Sequence, residues 1–209
     1  MTLSEKQPLL EGYTHTKGQR YVLVIHGGAG TMSKEGSTPK QQAAYKASLR
    51  AALEAGYNIL RDGGEAMDAV VAAVTSMEDN PLFNSAKGAV FNVEGKNELE
   101  ASLMLSKPPA SHPEIPSTRR GLGVTLLTRA RNPSQLVRAL YLAPEKAPHT
   151  FFSGVTAESI GASLGAELVD PSYFFTEHRW REHRRELGLP EEPLPQHPHI
   201  PDYETIPPP

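Results

Sequence analysis

The sequence predicts an α+β fold in which paired helices stack on antiparallel strands, rather than a doubly wound parallel sheet. Two segments, 39–60 and 66–77, carry apolar residues at helical spacing. Residues 98–104 alternate acidic or polar with apolar side chains, which is typical of a strand with one polar face. The pattern therefore mixes helices with a small antiparallel sheet.

The N-terminal half begins its predicted elements with a strand and two helices. Tyr21–Ile25 is a continuous run of apolar β-formers, so we expect a strand buried on both faces. Thr38 followed by Pro39 suits a helix N-cap and first turn. Gly63 and Gly64 suit the end of that helix. The alanine-rich faces of this helix and the next predict close helix–helix approach.

The C-terminal half is predicted to contain a hairpin, a further strand and three helices. The hairpin pairs Ala89–Val93 with Glu98–Met104 through a turn at 94–96. Four prolines make 106–118 an irregular surface insertion. The remaining predicted elements are a strand at 121–128, a helix from Pro133 to about Leu142, a short element at 151–154, and helices at 157–164 and 176–187, with Phe174 and Phe175 anchored in the core.

Composition divides the chain into three parts and excludes several classes of function. We expect a flexible arm at 1–19, one domain at 20–188 and a proline-rich tail at 189–209. The net charge of −3 gives no indication of nucleic acid or an anionic membrane as partner. The absence of cysteine excludes disulfides and thiolate chemistry. No secretory signal or transmembrane run is visible, so the cytosol is the expected location.

The most informative segment is 76–91, SMEDNPLFNSAKGAVF, which joins the second helix to the next predicted element. It holds the carboxylates of Glu78 and Asp79, an Asn-Pro turn, the apolar Leu82 and Phe83, and the amide of Asn84. A simple connector does not need large apolar residues in its middle. A loop with its own apolar anchors is typical of a functional site. We call residues 79–91 the signature loop.

This segment resembles the MEDNPLFNAGxGAVF signature of the plant-type asparaginases, also called isoaspartyl peptidases, of the N-terminal-nucleophile hydrolase superfamily. Three further segments agree in order and spacing, namely YVLVIHGGAGT at 21–31, ALEAGYNILRDGGEAMDAVVAAV at 52–74, and NELEASLM at 97–104. The resemblance is close over 20–105 and looser over 119–180. Glu100 in place of Asp and Ala86 in place of Gly depart from the family pattern.

The resemblance implies an αββα sandwich, of which this chain would form the α-subunit part. Such enzymes cut their own precursor before a Thr, which then heads the β subunit as the nucleophile. No matching segment occurs here, so we expect the chain to be inactive alone and to require that β subunit, in an (αβ)2 assembly. The implied reaction is hydrolysis of L-asparagine or of β-aspartyl peptides. The alternative is a truncated, non-catalytic homologue that acts as a binding or scaffold protein.

Three residues of this chain correspond to functional positions of the family. Asn84 matches the amide that faces the Thr nucleophile, although a loop Asn also commonly caps local backbone. Gly27 and Gly28 match the glycine loop beside the maturation site. On pattern alone, this loop could instead be a tight turn or an anion-binding loop. His26 is expected to be structural rather than a general base.

The resemblance also implies one structural sodium ion and no other cofactor. Main-chain carbonyls are hard oxygen donors that suit such a cation. By position, the implied carbonyl donors belong to Met77, Glu78, Asn80, Phe83, Ser85 and Lys87. If the position of Ala86 needs a positive φ, alanine would strain the loop.

Other polar residues are expected to have structural roles. Glu98 and Glu100 are spaced like an acid–base pair, but a solvated strand face is the preferred interpretation. His178 and His183, five apart on a helix, diverge too far to chelate a metal. The arginines of 176–187 alternate with glutamates, which indicates an exposed, salt-bridged helix.

Overall fold

The computed structural model describes residues 21–29, 38–192 and 194. The predicted arm at 1–19 and nearly all of the tail beyond 192 lie outside these residues. The chain divides into two compact units, Met1–Ser76 and Met77–Pro209, which are described separately. The helices and strands are α1 (Pro39–Arg61), α2 (Ala66–Glu78), β1 (Leu99–Met104), β2 (Gly121–Leu127), α3 (Pro133–Tyr141), β3 (Phe151–Ser153), α4 (Gly154–Ser163) and α5 (Glu177–Glu186).

Helix α1 begins and ends as its sequence predicts. The Thr38 hydroxyl accepts from the Gln41 N–H at 3.2 Å, and the Gln41 side chain accepts from the Thr38 N–H at 2.9 Å, which forms a capping box. At the other end Gly63 has a φ of 86°. The N–H of Gly64 returns to the carbonyl of Ile59 at 2.8 Å. Glycine is preferred at such a left-handed C-terminal position because it has no Cβ to clash.

The first unit confirms the close approach of α1 and α2. A Cβ at Gly56 would lie 2.6 Å from the carbonyl oxygen of Ala69 and 3.2 Å from the Cβ of Ala73. Only a residue without a side chain lets the two backbones meet there. Ala52 and Tyr57 of α1 and Met67 and Val71 of α2 are also buried.

The predicted strand at Tyr21–Ile25 is wrong as an element buried on both faces. No described residue of the first unit pairs with it as a strand, and Val22 and Val24 are 89% and 82% exposed. Burial alternates along the segment, with Tyr21, Leu23 and Ile25 half-buried. The ring of Tyr21 lies 5.9 Å from that of Tyr57 on α1. The apolar run thus packs one face on a helix, whereas Val22 and Val24 on its other face are exposed.

The second unit contains a three-stranded mixed sheet in the order β1-β2-β3. Strands β1 and β2 are antiparallel, whereas β2 and β3 are parallel. The register slips between Leu99↔Leu127 and Ala101↔Val124, so β2 carries one extra residue. Leu126, with a φ of 55° and a side chain 51% exposed, lies in this bulge.

Helices α3 and α4 pack against this sheet. Their apolar side chains form the core together with β2; the most deeply buried include Leu127, Leu136, Leu140, Tyr141 and Ala157. The helix at 133–141 and the strand at 121–127 match the predicted spans closely, while α4 begins three residues earlier than predicted.

The predicted hairpin is wrong, because residues 89–93 do not form a strand. Strand β1 pairs instead with β2, across the irregular segment 105–120. That segment is not purely superficial, since Ile115 is 3% exposed. Its last residues carry Arg119, whose guanidinium donates to the carbonyls of Leu140, Tyr141 and Ala147 at 2.9–3.0 Å. The bonds to Leu140 and Tyr141 satisfy carbonyl groups at the end of α3.

Candidate active site

The signature loop folds as a series of tight turns held by its own polar atoms. The side-chain oxygen of Asn80 accepts from the Leu82 N–H at 3.0 Å. The backbone of Phe83 accepts from the Ser85 N–H at 2.8 Å, and the Phe83 side chain is 4% exposed. The loop is therefore pinned to the core of the second unit by the apolar residue that the sequence singled out.

Two small residues close the loop. A Cβ at Gly88 would lie 2.6 Å from the carbonyl oxygen of Pro81 and still closer to that of Phe83, so no side chain fits there. Ala86 is 1% exposed and has a φ of 42°, in the left-handed region that disfavours side chains. The strain expected from alanine at this position is thus present in the structure.

A buried carboxylate on the last residue of α2, immediately before the loop, is bound to helix α3. Glu78, 2% exposed, accepts from the N–H of Ser134 at 2.9 Å and from its hydroxyl at 2.8 Å. Burial raises the pKa of the Glu78 carboxyl, and the hydrogen bonds from Ser134 oppose that shift. Desolvation is the larger effect.

The neighbouring carboxylate points to a different set of partners. Asp79 Oδ1 accepts from the Asn132 amide at 3.1 Å and from the Tyr173 hydroxyl at 3.3 Å. The Nε of Arg131 lies 3.5 Å from the same oxygen. The carboxylate pair noted in the sequence therefore serves as two separate anchors, one to α3 and one to the segment around Tyr173.

Asn84 lies at the exposed surface of the loop. Its Oδ1 accepts from the Val90 N–H at 3.0 Å. The carbonyl of Val90 accepts in turn from Nδ2 of Asn97 at 3.0 Å, and the carbonyl of Ala89 accepts from the same atom at 3.1 Å. Side-chain amides thus take the backbone groups that a hairpin would have paired. The bond from Val90 uses the acceptor end of Asn84 and leaves its amide nitrogen as a donor.

The carbonyl groups of the loop suit a hard cation in their chemistry. Two of them, the carbonyl oxygens of Pro81 and Phe83, lie close to Gly88. Each carbonyl of Met77, Asn80, Phe83 and Ser85 accepts one backbone hydrogen bond. A carbonyl oxygen has two lone pairs, so one backbone hydrogen bond does not by itself exclude a cation as a second partner. The donor set predicted for sodium is compatible with these bonds.

The glycine loop belongs to the first unit. Gly28 has a φ of 109°, and its N–H donates to Nδ1 of His26 at 3.2 Å. That N–H is turned towards the imidazole of His26, which weakens the anion-loop interpretation and agrees with a structural role for this histidine. Gly27 is half-buried.

The acidic residues at the start of β1 and the charged residues of α5 make local polar contacts. Glu98 and Glu100 are exposed and bind separate neighbours, Asn92 at 2.9 Å and Thr125 at 3.3 Å. Over the described ranges, no three His, Asp or Glu side chains are placed to hold a metal ion. Helix α5 is salt-bridged, with Arg181 2.6 Å from Glu177. None of the described helices is long and apolar enough to span a bilayer.

Sequence reasoning missed the contacts between the loop and the segment before and within α5. The Lys87 ammonium donates to the carbonyl of Tyr173 and lies 4.5 Å from the centre of its ring. The Nε of Arg179 donates to the carbonyl of Gly88 at 2.8 Å. The residues involved are 86 and 91 positions apart, and no periodicity connects them.

The chain is similar in sequence to known proteins of one family. The family model described as Asparaginase matches residues 19–199. Isoaspartyl peptidase of Escherichia coli K12 is 34% identical over 77% of this chain and 46% of its own length. Isoaspartyl peptidase/L-asparaginase of Homo sapiens is 34% identical over 75% of this chain and 45% of its own length.

A third relative is the plant-type L-asparaginase of Thermococcus kodakarensis, 34% identical over 79% of this chain and 48% of its own length. The chain spans about half the length of the curated relatives it matches. A family model that covers most of the 209 residues fixes the assignment. The chain belongs to the asparaginase family.

Proposed function

We propose that this chain is the α-subunit part of a Thr-dependent amidohydrolase that cleaves the side-chain amide of L-asparagine, β-aspartyl peptides, or both. The signature loop carries the proposal: it is pinned from inside by Phe83 and closed by Gly88, and it presents Asn84 at its surface. The family assignment and the names of the relatives give the reaction class.

In this proposal the nucleophile is the N-terminal Thr of a β subunit. Its hydroxyl oxygen attacks the amide carbon, and its own α-amine accepts the hydroxyl proton, since an α-amine has a pKa of about 8. The resulting tetrahedral oxyanion is stabilised by hydrogen-bond donors. The C–N bond then breaks, ammonia or an amino acid leaves with the proton, and water hydrolyses the acyl-enzyme ester.

Asn84 contributes the part of this chemistry that belongs to the present chain. The N–H donors of its amide, which the bond from Val90 leaves over, would bind at the Thr nucleophile. An amide suits this task because it keeps its donor at every pH. Its acceptor end holds Val90, so the side chain is oriented before the partner arrives.

The proposal also assigns roles to the glycine loop and to a sodium ion. Gly27 and Gly28 would lie beside the maturation cleavage, and the φ of 109° at Gly28 is one that glycine adopts without strain. A sodium ion would be bound by the carbonyls of Met77, Glu78, Asn80, Phe83, Ser85 and Lys87, which are hard oxygen donors. We propose an (αβ)2 assembly for the whole enzyme.

The experiment is expression of the reading frame that encodes this chain, followed by assay of ammonia release from L-asparagine and of leucine release from β-aspartyl-leucine. We expect hydrolysis when the chain is assembled with a Thr-headed β subunit, and none from the chain alone. A folded assembly that hydrolyses neither substrate, or a reading frame without a Thr-headed segment, would overturn the proposal in favour of a binding or scaffold protein.

A further inference from the structure

Two hydrogen bonds join the turn Ala86–Gly88 of the signature loop to the segment Pro171–Glu186. In the first the loop supplies the donor: the ammonium of Lys87 donates to the carbonyl of Tyr173. In the second the loop supplies the acceptor: Nε of Arg179 donates to the carbonyl of Gly88 at 2.8 Å. Both bonds have a charged donor, and charge-assisted bonds are about twice as strong as neutral ones.

The side chain of Arg179 is held in one orientation. It is 14% exposed, and its Nη1 lies 2.7 Å from Glu182 one turn further along α5. The backbone N–H of Arg179 donates to the hydroxyl of Thr176, the N-cap of that helix, at 3.3 Å. A planar guanidinium with one edge on a carboxylate can direct its Nε–H to a single acceptor. Here that acceptor is the loop carbonyl of Gly88.

Helix α5 is itself fixed against the end of the loop by aromatic packing. The indole of Trp180 meets the ring of Phe91 edge-on, with centroids 5.3 Å apart. Phe175 and His183 lie 6.0 and 5.7 Å from the same phenyl ring. Arg179 therefore reaches the loop from a helix that packs on Phe91, the residue that follows Val90.

We propose that Arg179 is a positioning residue, which fixes the signature loop and through it the side chain of Asn84. Gly88 lies between Asn84 and Val90, and the bond from the Val90 N–H to Asn84 closes a ring of backbone that contains Gly88. When Arg179 holds the Gly88 carbonyl in place, it restricts this ring and so fixes the distance between Asn84 and Val90. The functional part of this inference rests on the proposed role of Asn84, whereas the structural part does not.

The structural part is tested by hydrogen–deuterium exchange on the chain itself, with the variants Arg179→Gln and Arg185→Gln. Arg185 is the matched control, because it lies exposed on the same helix and pairs with Glu191 rather than the loop. We expect the amides of residues 85–90 to exchange about 10-fold faster or more in Arg179→Gln, with the amides of α3 unchanged. Arg185→Gln should leave both regions unchanged.

Unchanged loop protection in folded Arg179→Gln, or faster exchange that extends equally to α3, would overturn the inference. If Arg179→Gln does not fold, Arg179→Lys decides. Lysine keeps the charge but cannot bind Gly88 and Glu182 with one planar group, so we expect intermediate loop exchange. Wild-type protection in Arg179→Lys would then overturn the inference.

The functional part is tested in the assembled enzyme by separating kcat from KM. Because Arg179 acts on Asn84 and not on substrate, we expect Arg179→Gln to lower kcat about 10-fold or more with KM within about 2-fold. Arg179→Lys should restore part of kcat. Equal losses in both Arg179 variants and in Arg185→Gln would contradict the inference. An inactive wild-type assembly would overturn the proposed function instead, while the exchange pattern still decides whether Arg179 holds the loop.

Discussion

Asn84 and Asn97 bind the two polar groups of one residue: the N–H of Val90 donates to Asn84 at 3.0 Å, and its carbonyl accepts from Asn97 at 3.0 Å. The two amides differ in burial, since Asn97 is 9% exposed and Asn84 lies at the surface. One amide therefore holds the loop from inside the unit, and the other is open to a partner.

Replacing these two amides should have different effects on stability. Asn97→Ala leaves the carbonyls of Ala89 and Val90 without their donor, so we expect a loss of about 1–3 kcal/mol in the free energy of unfolding. Asn84→Ala exposes one N–H to water and should lose less than about 1 kcal/mol. Urea denaturation measures both. A larger loss for Asn84→Ala would mean that its main role is to stabilise the fold.

Gly88 should tolerate no side chain. Gly88→Ala places a Cβ against the carbonyls of Pro81 and Phe83, which belong to the backbone and cannot move separately. We expect the free energy of unfolding to fall by at least about 2 kcal/mol. The control is Ser85→Ala in the same turn, whose hydroxyl caps no described group. It should change stability by less than about 0.5 kcal/mol, and equal losses in the two variants would contradict the account.

Ala86 should accept glycine better than valine. Ala86→Gly relieves about 1–2 kcal/mol of left-handed strain. It also loses a buried methyl worth about 0.8 kcal/mol and adds about 0.4–1 kcal/mol of unfolded-chain entropy. The net change in unfolding free energy should lie within about 1 kcal/mol of zero. Ala86→Val, branched at a positive φ, should lose more than about 2 kcal/mol. Thermal denaturation of both variants measures the difference, and a stable valine variant would refute the strained geometry.

Glu78 should make stability depend on pH with a defined sign. Its pKa is raised by burial in the folded state, so the folded chain binds this proton more tightly than the unfolded chain. The contribution to stability is complete below the unfolded pKa and is lost as pH rises through the folded pKa. Glu78→Gln removes this titration. The free energy of unfolding of the variant relative to wild type should therefore increase as pH rises from the unfolded pKa of Glu78 through its folded pKa. Urea titrations from about pH 4 to pH 8 test this, and the opposite slope would mean that the bonds from Ser134 outweigh desolvation.

The local signals of the sequence predicted the helices well. The Thr38 cap, the Gly63 end and the spacing of apolar residues each depend on groups within a few positions of one another. The same holds for the pinned loop, because Phe83 and the Asn-Pro turn lie inside it. The strained conformation at Ala86 was also foreseeable, since it follows from one substitution in a known pattern.

Long-range pairing was not predictable in the same way. Residues 89–93 and 98–104 looked like a hairpin, but Asn84 and Asn97 take the backbone groups of Val90, and β1 finds β2 instead. The apolar run at 21–25 looked like a buried strand, although Val22 and Val24 are exposed. Hydrophobic patterning shows which face of an element is apolar, but it does not show which segment packs against that face.

The sequence identified the residues of the candidate site, but not the contacts with distant residues that hold the signature loop. The signature loop identified Asn84 and the carbonyl donors, whose functions remain predictions. The contacts of Lys87 with Tyr173 and of Arg179 with Gly88 join residues far apart in the chain. Arg179 donates to a main-chain carbonyl, which every residue type has. The identity of residue 88 therefore gives no signal of this bond in the sequence.

The central claim is that Asn84 serves a Thr nucleophile borne by a β subunit. The most direct measurement combines intact mass of the protein expressed from its reading frame with β-aspartyl-leucine hydrolysis by wild type and Asn84→Ala. The account predicts two fragments, one beginning with Thr, and turnover that falls at least about 100-fold in a variant that still folds and assembles. A single uncut species without turnover, or full activity in Asn84→Ala, would contradict it.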